Sequence, residues 1–124
     1  MNNTEFIEYH AICCDKMKDI VGAKNADYSI DTNDAFSNFK TTEMLGISTG
    51  ESNIMNQILN KLNRTNAFVK RGVLLVEDEK IEDTLLDLAN YAILLAGYIK
   101  AKKDDAITNV EFEDEPIHET LPFD

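Results

Sequence analysis

From Leu85 to Ile99 the chain reads Leu-Leu-Asp-Leu-Ala-Asn-Tyr-Ala-Ile-Leu-Leu-Ala-Gly-Tyr-Ile, apolar on nearly every side of a helix. A helix apolar all round has no solvent face of its own and must be wrapped by other elements or by a second subunit. The run lies inside a longer helical segment, Lys80 to Lys103, with a core stripe of Ile81, Leu85, Leu88, Ala92, Leu95 and Ile99 and a cap at Asp78. No proline occurs before Pro116, so the residues that most often break helices are missing from the first 115 positions.

Three more helices are expected. Phe6, Tyr9, His10, Cys13, Met17, Ile20 and Val21 recur at helical spacing and predict a helix over Asn3–Lys24, capped by Asn2 or Asn3. A short helix over Asp34–Met44 is anchored by Phe36 and Phe39 and stopped at Leu45-Gly46. The third begins near Ser48, where Ser48 and Glu51 have capping-box spacing, and ends at Gly72. Its core face is Ile54, Met55, Ile58, Leu59, Leu62 and Val69. Val73–Val76 reads as an extended connector, and Asp104–Asp124 as an acidic extended tail with a short strand at Val110–Phe112. The expected architecture is all-α: an antiparallel four-helix bundle over residues 1–103, followed by an acidic tail over 104–124.

A length of 124 residues suits one domain with a modest core, so a partner copy would add useful burial. The formal charge of -11 argues against wrapping nucleic acid, which needs a basic face. It suits a soluble protein, a carboxylate site for divalent cations, or an acidic surface offered to a basic partner. Cys13 and Cys14 are adjacent, about 100° apart on a helix, and read as reduced, half-buried thiols in a cytosolic protein. No signal segment and no apolar run of membrane-spanning length is visible.

Chemistry concentrates in three places. Asp83, Asp87 and Asn90 share one face of the last helix, opposite the Ile81–Leu85–Leu88 stripe. Alone they are an ordinary solvent face. Because the same face continues into Leu94 and Gly97, the row is expected at the rim of buried space. Two carboxylates one turn apart repel unless a cation sits between them, either Mg²⁺ or a basic side chain, for which Arg64 is the candidate. The third helix carries Asn53, Gln57, Asn60 and Arg64 on one face, nearly all amide. That face reads either as a hydrogen-bonding wall for a base or sugar, or as a consequence of an Asn-rich composition. Between the first two helices, Lys24, Asp27, Tyr28 and Asn38 mix a cation, an acid, an aromatic and an amide. Lys24 suits a phosphate and Tyr28 or Phe36 a base, whereas the bland alternatives are a local Lys24–Asp27 pair and core phenylalanines. His10 reads as a core histidine. No nucleophile–histidine arrangement and no glycine-rich phosphate loop is present.

Lys24-Asn25-x-Asp27-Tyr28, Phe36-x-Asn38-Phe39, Asn60-Lys61-Leu62-Asn63-Arg64 and Glu82-Asp83-Thr84-Leu85-Leu86-Asp87-Leu88-Ala89-Asn90-Tyr91-Ala92 together resemble a phage and bacterial family, the nucleotide-modification-associated domain, over about residues 1–100. That family looks distantly similar to MazG-type all-α nucleoside triphosphate pyrophosphatases, helical and usually dimeric. The resemblance implies Mg²⁺ on Asp83 and Asp87. It also implies a nucleotide held by Lys24, Asp27, Tyr28, Asn38, Asn60, Arg64, Asn90 and Tyr91. The expected setting is the cytoplasm of a phage-infected bacterium, with no direct nucleic acid and no membrane. This chain departs from the metal pattern, because its third helix has no ExxE and Asn60 stands where an aspartate is expected. Two functions follow. One is nucleotide binding, with or without Mg²⁺-dependent pyrophosphohydrolysis. The other is non-enzymatic inhibition of host defence, anti-CRISPR activity included, by sequestering a nucleotide signal or by presenting the acidic surface to a basic host protein as a nucleic-acid mimic.

Overall fold

In a computed structural model, residues 1–28, 34–72 and 80–109 are described, the side chains of 25–28 and 108–109 excepted. These residues form four α-helices and no strand: α1 Asn3–Tyr28, α2 Ser37–Met44, α3 Gly50–Arg71 and α4 Ile81–Asn109. The expected Val73–Val76 connector, Asp78 cap and Val110–Phe112 strand lie outside the described residues. Among the described residues no helix is long and apolar enough to cross a membrane.

Side chains and glycines set the helix ends. The Glu5 amide donates to Asn2 Oδ1 at 2.8 Å, which caps α1. Gly22 does not end that helix, which runs on to Tyr28. Asp34 accepts from the Phe36 amide at 2.9 Å and from Lys40 at 2.5 Å. The Lys40 contact, then the amide, holds the Asp34 carboxyl below its ordinary pKa. At α3 the cap is Thr49 rather than Ser48: Thr49 Oγ1 accepts from the Ser52 amide at 3.1 Å. Glu51 does not complete a capping box, because its carboxylate lies 2.8 Å from Lys102 of α4. Gly72 ends α3 at φ 78°, a left-handed turn that favours glycine. Helix α4 extends through Asp104 and Asp105 to Asn109, beyond the expected start of the tail.

The α3–α4 pair is the centre of the molecule. Gly50 at the start of α3 meets Tyr98 late in α4, and Lys61 further along meets Asp87 nearer the start of α4, so the two helices run in opposite directions. Tyr98, Ile54 and Thr84 are the large side chains sealed from solvent, at 2%, 0% and 1% exposure. A side chain at Gly50 would overlap the Tyr98 hydroxyl and ring. The Gly50 amide donates to Glu43 Oε1 at 2.6 Å, and Lys102 sits 3.2 Å from the same carboxylate. Phe36 meets the Tyr98 ring edge-on at 5.3 Å between centroids, reaching it across Gly97. The expected phenylalanine anchors therefore hold α2 onto α4.

The contact line on α4 differs from the one expected. It runs along Thr84, Asp87, Leu88, Tyr91, Leu95 and Tyr98, all buried or half-buried. Leu88 and Leu95 of the expected core stripe lie on this line, whereas Leu85, Ala92 and Ile99 are turned away from it, Leu85 and Ile99 staying 42% and 41% exposed. On α3 the inner line is Gly50, Ile54, Ile58, Lys61, Thr65 and Phe68, while Met55, Leu59, Leu62 and Val69 are exposed. In an antiparallel pair, equal rotations from the contact line carry both helices to the same side. Met55, Leu59 and Leu62 therefore share one side of the α3–α4 layer with Leu85, Ala92 and Ile99. The opposite side carries Asn53, Asn60 and Arg64 with Asp83, Asn90 and Gly97. Both other helices lie on that polar side. The Asn53 side chain donates to Thr42 of α2 at 3.3 Å, and Asn90 donates to the Met17 carbonyl of α1 at 3.4 Å.

Helix α1 meets α4 in ascending order. The Tyr9 phenol is raised in pKa first by its hydrogen bond with Cys13 and last by the charge of Glu82, while Met17 and Lys24 reach Asn90 and Tyr91. The reverse direction expected throughout the bundle therefore holds for α3–α4 and not for α1–α4. Cys13 and Cys14 are half-buried free thiols, as expected. His10 is exposed rather than in the core, with Nδ1 3.8 Å from Cys14 Sγ.

Gly50→Ala should therefore destabilise the protein. Alanine normally favours a helix by up to about 1 kcal/mol, yet overpacking Tyr98 should leave a net loss of about 1–3 kcal/mol in chemical denaturation. A second expectation concerns alkali. Burial, then the hydrogen bond to Glu43, pushes the Tyr98 phenol from 10.0 up to about 12. The neutral phenol is thus favoured in the folded state. Its stabilisation is complete below the unfolded value and is lost as pH climbs through the folded one. Unfolding followed from pH 9 to above 12 should show that loss in the native protein and not in Tyr98→Phe.

Candidate functional site

The inner face of α4 turns polar one turn after Thr84. Asp87 is half-buried there, with Oδ2 3.2 Å from the Lys61 ammonium, and the two side chains are 27% and 16% exposed. Three residues on, Asn90 Nδ2 reaches the Met17 carbonyl of α1. That carbonyl is already the acceptor of a helix turn, so the amide ties α1 to α4 by a second, weaker bond. Beside it the Lys24 ammonium stands 5.5 Å from the centroid of the Tyr91 ring, a cation–π distance. The row Asp87–Asn90–Tyr91 thus touches α3 at one end and α1 at the other. It forms the floor where three helices meet.

Several residues nominated from sequence come together at this floor, and others stand around it. Lys24, Asn90, Tyr91 and Asp87 form the junction itself. Asp83 is exposed one turn before Asp87. Asn60 and Arg64 are exposed on the side of α3 that faces the α1 side of the layer. Gln57 is half-buried, and Asn53 is spent on Thr42. Asn38 is an exposed residue of α2 whose carbonyl accepts from Thr42 Oγ1 at 3.2 Å. The side chains of Asp27 and Tyr28 lie outside the described residues.

The cation beside the acidic row is the residue that sequence reasoning missed. Arg64, the expected cation, lies about 80° around α3 from the Ile54–Lys61 line, on the side of the layer that carries Asp83 and Asn90. Lys61 is on that line and points at α4. A signal was available: a lysine set among Ile54, Ile58 and Thr65 on an inward face requires an acid on the facing helix. Among the described residues no group of three His, Cys, Asp or Glu side chains is close enough to hold a metal ion.

The geometry defines an all-helical domain with a polar three-helix junction bordered by amides and cations. A family model described as nucleotide modification associated domain 1 matches residues 24–96, more than half of the chain. The chain belongs to that family. The match begins at Lys24, so most of α1 precedes it, and it ends at Ala96, within α4. No curated protein and no solved structure matches the chain.

Removing one member of the Lys61–Asp87 pair leaves the other charge half-buried without its partner. Lys61→Met should cost about 1–3 kcal/mol, between the values for exposed and fully buried pairs. In a denaturation double-mutant cycle, adding Asp87→Asn should cost less than the sum of the two single changes.

Proposed function

We propose that the protein is a nucleotide-binding module whose site is the groove beside the Asp87–Asn90–Tyr91 floor. The carrying observation is that Lys24 and Tyr91, residues far apart in sequence, meet at that floor within the segment matched by a nucleotide-modification family. Lys24 and Arg64 supply charge for phosphate, which suits their donor chemistry. Asn60 and Asn90 supply amides that read a base or ribose by paired donors and acceptors. Tyr91 offers an aromatic face.

Mg²⁺ on Asp83 and Asp87 is the metal the family resemblance implies. The residues present do not fit it well. Asp83 is exposed, Asp87 is paired with Lys61, and the facing helix offers amides where further carboxylates are needed. The supported reading is therefore binding, and no hydrolytic step is derived.

The module works as a dimer in this reading. The apolar side of the α3–α4 layer is left uncovered by the described residues of its own chain. Met55, Leu59, Leu62, Leu85 and Ile99 are 41–48% exposed along it. A second copy placing the same stripe against it would bury all five on both sides, in the manner of a two-fold interface.

Calorimetric titration with the common ribo- and deoxyribonucleotides tests the first proposal. One class should bind, and Lys24→Ala or Tyr91→Ala should weaken it by about tenfold, the equivalent of 1.4 kcal/mol. Ligand recovered intact after denaturation fits binding; released pyrophosphate fits hydrolysis; and no binding by any nucleotide refutes the proposal. For the dimer, sedimentation should give twice the chain mass, and Leu85→Asp with Ile99→Asp should give the monomer. A native protein that sediments as a monomer at all concentrations rejects it.

A further inference from the structure

We propose that Lys61 is the resident cation of this site: its ammonium takes the place on Asp87 that a divalent metal would occupy, so Asp87 is a positioning residue for a lysine and not a metal ligand. The inference deepens the nucleotide-binding reading by making that binding metal-independent. Three observations carry it. Lys61 Nζ lies 3.2 Å from Asp87 Oδ2, on side chains that are 16% and 27% exposed, so the pair is half-buried on the inner lines of two packed helices. Among the described residues, the neighbours of the pair along α3 and α4 include amides: Asn60 precedes Lys61, Asn90 lies three residues after Asp87, and Gln57 sits one turn earlier on α3. Asp83, the nearest further acid on the same face, is exposed to solvent.

The physical argument is one of charge. Asp87 retains a free oxygen and lone pairs, so coordination alone does not exclude an ion. A dication on that oxygen would stand within a few ångströms of the ammonium. Like charges that close, in a partly desolvated setting, repel by several kcal/mol unless additional carboxylates offset them. The one carboxylate of the facing helix, Glu51, lies near its start and is paired with Lys102. Lys61 meets the same need at lower cost, since it neutralises Asp87 without an ion having to lose its water shell. It also keeps two further N–H donors, one turn of helix from Arg64. An anionic ligand such as a nucleotide phosphate would therefore meet a fixed ammonium there.

Mn²⁺ binding, read as loss of the free-ion paramagnetic signal, tests this on the full chain without any nucleotide. The native protein and Asp87→Asn should bind Mn²⁺ equally, showing only weak uptake by surface acids. Lys61→Met should create one additional, weak site, and Lys61→Met with Asp87→Asn should remove it. If the native protein binds an ion that Asp87→Asn abolishes, Asp87 is a metal ligand and the proposal is overturned. Should Lys61→Met fail to fold, as judged by circular dichroism, the native and Asp87→Asn comparison decides alone. A second arm titrates the binding nucleotide in EDTA and in Mg²⁺. Equal affinity supports the proposal, and binding lost in EDTA overturns it. The Mn²⁺ arm needs no nucleotide, so it stands or falls separately from the nucleotide-binding reading.

Discussion

The structure depends on close approach of α3 and α4, and that approach depends on Gly50. With no side chain there, the Tyr98 ring lies over the first turn of α3 and seals the layer at that end. Glu43 then accepts from the Gly50 amide, while Lys102 spans Glu43 and Glu51. The Gly50 amide, more than the Tyr98 hydroxyl or Lys102, holds the Glu43 carboxyl below its ordinary pKa. These exposed charges contribute little energy singly. Their effect is to fix the register of α2, α3 and α4, and register decides which residues face one another further along. Lys61 meets Asp87 because Gly50 meets Tyr98.

The molecule has two unlike sides because the contact lines of α3 and α4 are themselves partly polar. Thr84, Asp87 and Lys61 are spent between the helices. The better apolar stripes, Leu85 with Ile99 and Leu59 with Leu62, are turned about a quarter of a circle away and stay largely uncovered. Helices α1 and α2 both cover the other side, bringing the Met17 carbonyl and Lys24 to the floor. This distribution separates an exposed apolar side of the α3–α4 layer from the polar side on which α1 and α2 pack.

Much of this was legible in the sequence. The absence of proline and the helical spacing of apolar residues marked all four helices, and Gly72 marked the end of α3. The all-round apolar character of Leu85–Ile99 correctly demanded more than one covering surface. The inner face was only partly legible: Leu88 and Leu95 of the expected stripe lie on it, but a helix apolar on nearly every side gives no unique stripe, and the line through Thr84, Asp87 and Tyr98 is not the most hydrophobic one. The direction of α1 was hidden for a related reason. It packs lightly, through one amide and one cation–π contact, and neither leaves a periodic signal. Of the site, Asp83, Asp87 and Asn90 were readable as a polar row and Lys24 as a separate cation, while Tyr91 came only with the family resemblance and its contact with Lys24 is set by tertiary packing. The Lys61–Asp87 pair was not readable, since it depends on a register that only tertiary packing sets.

The central claim is that the α4 floor, with Lys61 and Lys24 at its two ends, is the place where a nucleotide binds. Amide and side-chain NMR of the native protein during a nucleotide titration tests it most directly. The account predicts saturable shifts centred on Lys24, Lys61, Asp87, Asn90 and Tyr91, unchanged by EDTA, with Met55, Leu59 and Ile99 on the apolar side unaffected. Saturable shifts centred elsewhere, or none with any nucleotide, would contradict it.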